Sequence, residues 1–78
     1  LMSRNHEYSR ALKAYKKALE LEPDNPEVLN NIAWLYATAE KHEFRHPRQA
    51  LMLAIRAASI RPESFILDTL AECFFING

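Results

Sequence analysis

The chain repeats itself. Ala11-Leu12, Ala18 and Pro23 recur as Ala50-Leu51, Ala57 and Pro62 at an offset of 39 residues. Lys17/Arg56 and Leu21/Ile60 are similar pairs at the same offset. The blocks after the two prolines align at an offset of 38, as Leu29/Leu67, Ile32/Leu70, Ala33/Ala71 and Tyr36/Phe74. A period of this length marks a stacked array of supersecondary units, in which each unit buries its apolar face against its neighbours.

The units are helical. Tyr8, Ala11, Leu12, Tyr15, Ala18 and Leu19 fall at steps of three and four, one stripe of a helix over about Glu7 to Leu21. Asn25 is an N-cap and Pro26 a first helical residue, and Val28, Leu29, Ile32, Ala33, Leu35, Tyr36 and Ala39 continue that second helix. A third helix is predicted from Pro47 to about Ile60, apolar nearly all round and therefore flanked on more than one side. A fourth runs from about Ser64 to Ile76, with Phe65, Leu67, Leu70, Ala71, Phe74 and Phe75 as its apolar residues. No block alternates as a strand would. The single glycine, Gly78, removes glycine-rich phosphate loops and makes tight hairpins unfavourable. Alanines give the helices a way to approach closely. Ala11, Ala18, Ala33, Ala50, Ala57 and Ala71 are the expected contact points, with larger side chains filling around them.

The segment from Tyr8 to Asn25 resembles the second helix and closing turn of a tetratricopeptide repeat, and Leu29-Asn-Asn-Ile32-Ala33-Trp-Leu-Tyr36 resembles its first helix. The resemblance implies an all-α fold of antiparallel helix-turn-helix repeats in a short right-handed α-solenoid. In that phase, residues 1–25 form the end of one repeat, with Leu1 to Asn5 as the tail of its first helix. Residues 26–62 form one full repeat with a loop insertion near 40–46, and residues 63–78 the first helix of the next. Gly78 falls at an intra-repeat turn. The chain then reads as part of a longer array.

First helices of such repeats line a concave groove that holds a partner peptide or helix. The resemblance therefore implies a non-catalytic protein–protein interaction or scaffold module with a protein or peptide partner and no cofactor. Glu27, Asn30, Asn31, Trp34, Ala37 and Thr38 are the expected groove residues of the second helix; Asp68, Glu72 and Phe75, with Phe65 and Ile76, are those of the fourth. Trp34 is the leading anchor, since tryptophan is enriched at binding hot spots. Phe75 and Ile76 have an alternative role against a further helix. Asn31 matches one residue of the carboxylate clamp found in some members, but Asp68 and Glu72 stand where that clamp is basic. An acidic groove end favours a basic or neutral partner.

Other function classes find less support. Ten basic and ten acidic residues cancel, which disfavours a nucleic-acid surface, and no apolar run is long enough to insert in a membrane. The charges are uneven along the chain: residues 1–23 and 41–61 are net basic, residues 24–40 and 62–78 net acidic. His42-Glu43-Phe44-Arg45-His46 matches H-E-x-x-H, whose zinc chemistry needs both imidazoles one turn apart on a single helix face plus a third ligand. A zinc-dependent hydrolase at His42 and His46 is thus a remote alternative, with no third ligand selected by spacing. Cys73 has no histidine partner that would make it a nucleophile and reads as a packing residue. A structural spacer, or a homo-oligomer joined through exposed apolar solenoid ends, is the remaining alternative.

Overall fold

A computed structural model describes residues 4–78 and shows four helices: α1 (Arg4–Leu21), α2 (Pro26–Thr38), α3 (Pro47–Ile60) and α4 (Ser64–Asn77). One 3₁₀ turn, His42–Phe44, lies between α2 and α3, and no strand occurs among the described residues. The expected tail from Leu1 to Asn5 divides. Leu1, Met2 and Ser3 lie outside the described residues, whereas Arg4 and Asn5 open α1.

The prolines act as the sequence implies. Pro26 and Pro47 begin helices, where a missing N–H costs nothing. Asn25 caps α2: its Oδ1 accepts from the backbone N–H of Glu27 at 3.0 Å and of Val28 at 3.3 Å. The α2 carboxyl end closes through the Ala39 N–H to the Leu35 carbonyl. Gly78 has φ +88°, a conformation that glycine adopts without a Cβ penalty.

Successive helices run antiparallel. Arg61 at the end of α3 reaches Glu27 at the start of α2 at 3.5 Å. The Asn77 side chain at the end of α4 donates to the Pro47 carbonyl at the start of α3 at 2.9 Å. Helix α2 is central and touches all three others, while α3 packs against both α2 and α4.

Alanines mark the closest approaches. Ala33, Ala50, Ala54 and Ala57 are all fully buried. Ala33, Ala37, Ala50 and Ala54 form one cluster with Cys73 of α4; Leu29, Ala57 and Ile66 form another, against which Leu19 of α1 packs. Two of the expected alanine contacts are only half-buried, Ala11 and Ala18 on α1, and Ala71 on α4 is exposed.

That exposure corrects the expected packing of α4. Its buried residues are Ile66, Thr69 and Cys73, whereas Leu67 and Phe74 are exposed. The cause is the neighbour. At an offset of 38, the buried α4 face corresponds to Val28, Asn31 and Leu35 of α2, and Leu35 and Asn31 lie on the side of α2 that meets α1. Leu67, Ala71 and Phe74 correspond instead to Leu29, Ala33 and Tyr36, which face α3. Among the described residues no helix stands against α4 as α3 stands against α2.

Candidate functional site

The inserted loop is tied back onto the helices. The Arg45 side chain donates from Nε to the Ala39 carbonyl at 2.8 Å, and the His46 N–H donates to the Tyr36 carbonyl at 3.0 Å. The His46 ring meets Tyr36 edge-on at 4.9 Å between centroids, and Phe44 meets Tyr8 of α1 at 5.8 Å. This geometry removes the zinc alternative's structural premise. The 3₁₀ turn ends at Phe44, Arg45 is extended, and His46 caps the separate helix α3. The two imidazoles therefore do not share a helix face. Among the described residues no group of three or more His, Cys, Asp or Glu side chains is placed to hold a metal ion.

Cys73 is buried in the α2–α3–α4 core. Burial, with a smaller contribution from the neighbouring Glu72 carboxylate, pushes its thiol pKa up. The side chain is a packing group and not a poised thiolate.

The expected groove residues separate into several environments. Glu27, Asn31 and Trp34 are exposed on α2, with Trp34 48% exposed, and Thr38 is half-buried with its hydroxyl donating to the Trp34 carbonyl at 2.7 Å. On α4, Phe65, Asp68 and Phe75 are exposed and Glu72 and Ile76 half-buried. Phe75, 81% exposed, is the most accessible large apolar side chain of the chain's second half.

Asn30 and Ala37 differ from expectation. Both are 6% exposed. They fall with Pro26 and Ala33 at steps of four, three and four residues, a buried stripe of α2. Glu27 and Trp34 sit on the neighbouring line, turned further from the core. Asn30 is therefore not a surface contact, and its buried Oδ1 has no hydrogen-bond partner among the described residues.

Three of the remaining residues converge. Asn31, Trp34 and Thr38 line an open cleft with Tyr8, Ala11 and Tyr15 of α1. Its walls are an indole, two phenol rings and a half-buried alanine, with an amide, a hydroxyl and the Glu7 carboxylate at the rim. The α1 side of this cleft was not among the expected groove residues. Tyr8, Ala11 and Tyr15 belong to the packing stripe expected of α1, and they are only half-buried. Trp34 lines this cleft and Phe75 does not.

An antiparallel array of alanine-contact helices, repeating every 38 to 39 residues and carrying an aromatic cleft, defines a helical-repeat protein. Residues 5–38, spanning α1 through α2, match the family model of the TPR repeat, so this part of the chain carries a tetratricopeptide repeat. Repeats of this family generally mediate protein–protein interaction or scaffolding. No curated protein and no solved structure matches the chain. No helix among the described residues is long and apolar enough to cross a membrane.

Proposed function

We propose that the chain is a protein–protein interaction module whose receptor surface is the cleft between α1 and α2, with Trp34 as its anchor. The observation that carries this reading is the half-exposed indole set beside two tyrosines in an open cleft. Aromatic side chains bury large areas at low entropic cost, and Trp and Tyr dominate interface hot spots. Asn31 and Thr38 at the rim offer polar groups that fix the register of a bound segment. Asp68, Glu72 and Phe75 of α4 form a second part of the proposed surface, and the two carboxylates there favour a basic or neutral partner.

The mechanism is burial of a partner's apolar side chains, with no bond made or broken. Replacing Trp34 by Ala is expected to weaken partner binding by at least about tenfold. Isothermal titration against an isolated partner measures it, with Lys13→Ala on the exposed side of α1 as control. Because Trp34 is half-exposed, the variant keeps the helical circular dichroism of the parent. Unaltered affinity of Trp34→Ala for every partner would refute the cleft.

A further inference from the structure

The cleft between α1 and α2 is walled by aromatic rings around a small residue. With the two helices antiparallel, Ala11 stands opposite Trp34, and Tyr8 and Tyr15 lie about one turn to either side of Ala11. The short alanine side chain leaves a recess between two phenol rings on α1 and the half-exposed indole on α2. The recess measures about 360 Å³. That is the small end of ligand sites and suits one long side chain reaching in from a segment that lies across the opening.

The polar groups around these rings are acceptors. Glu7 brings a carboxylate, which when ionised has nothing to donate. The Thr38 hydroxyl already donates to the Trp34 carbonyl at 2.7 Å, so what it offers the cleft is lone pairs. Asn31, opposite Tyr15 at the other end, adds an amide carbonyl. Charge sorts the same way. Arg10, Lys13, Lys16 and Lys17 of α1 do not line the cleft, and Glu7 is the only charged side chain among the described ones that does.

The face of an aromatic ring is negative, and three such rings beside a carboxylate attract a cation. An anion would meet a like charge at the rim. Of the two common cationic side chains, arginine fits this recess better than lysine. Its planar guanidinium stacks flat on an indole or a phenol, and its five N–H groups reach acceptors at both ends of the recess. Lysine is a compact point charge and serves only one end at a time.

We infer that the cleft takes an arginine side chain of the partner protein, its guanidinium stacked among Trp34, Tyr8 and Tyr15 and paired with the Glu7 carboxylate. This names the chemistry of the partner, rests on the proposed reading of the cleft, and narrows a basic or neutral partner to a basic one.

Trp34 is the only tryptophan of the chain, so its fluorescence reports on the cleft alone. The test titrates the full chain with three short end-blocked alanine peptides that differ only at the central residue: arginine, citrulline or leucine. Citrulline keeps the shape of arginine and lacks its charge. The arginine peptide is expected to change Trp34 emission and to bind about tenfold more tightly than the citrulline peptide. Glu7 is exposed, so Glu7→Gln keeps the fold. It is expected to weaken the arginine peptide about threefold and to leave the leucine peptide unaltered. Added salt acts in the same direction. Equal binding of the arginine and citrulline peptides, tighter binding of leucine, or no response of Trp34 to the arginine peptide overturns the inference. Trp34→Ala against an isolated partner keeps the two claims apart. If that variant weakens partner binding while the arginine peptide fails, the cleft keeps its function and only its arginine occupant is excluded. If that variant has no effect either, the cleft reading itself falls.

Discussion

At the scale of single residues, position on the helix decides what a side chain does. Asn25 and Asn30 are the same amino acid five residues apart, yet one caps a helix and the other is buried with an oxygen unpartnered among the described residues. The cap was legible in the sequence because Asn-Pro before an apolar stripe has a local cause. Asn30 was not, because a rotation of about 100° per residue separates the buried line from the exposed one, and only the neighbouring helices fix where that boundary falls. Asn25→Ala is expected to cost about 1 kcal/mol, seen as a lower midpoint in urea unfolding. Cys73 offers a check on burial. At neutral pH a thiol reagent is expected to label it far more slowly in the folded chain than after unfolding. Its pKa is raised by folding. Its contribution to stability is therefore full below the ordinary thiol range and is lost as pH rises through the folded value. Urea unfolding of the parent and of Cys73→Ala, compared at neutral and alkaline pH, reads that loss.

At the scale of elements, repeat-equivalent positions need not be energetically equivalent. Leu29 and Leu67 occupy the same place in the repeat, but Leu29 is fully buried and Leu67 is 44% exposed. Leu29→Ala is expected to cost about 2–5 kcal/mol and Leu67→Ala under about 1 kcal/mol in the monomer, measured by chemical denaturation. Equal losses would show that α4 is covered as α2 is. The same contrast explains how far the sequence could be read. The starts of α2, α3 and α4 follow from capping, proline and periodicity, all local signals. The face on which α4 packs depends on which neighbours are present. The apolar stripe Leu67–Ala71–Phe74 was visible, but a stripe does not say whether a partner stands against it.

At the scale of the whole molecule, the described helices leave a cleft along α1 and α2 and an exposed face on α4. The repeat made the fold legible from the alignment of α1 with α3 and of α2 with α4. The candidate site was legible only on its α2 side. Tyr8, Ala11 and Tyr15 match the core pattern of α3, and pattern alone assigns them to a core; their exposure arises because one side of α1 stays uncovered among the described residues. A photo-crosslinking residue in place of Asn31 tests the central claim most directly, since Asn31 is exposed and lines the cleft without disturbing Trp34. The same residue in place of Lys13, on the exposed side of α1, is the comparison. The cleft reading predicts covalent protein adducts from position 31 and few from position 13. Equal adducts from both positions, or none from position 31, would contradict it.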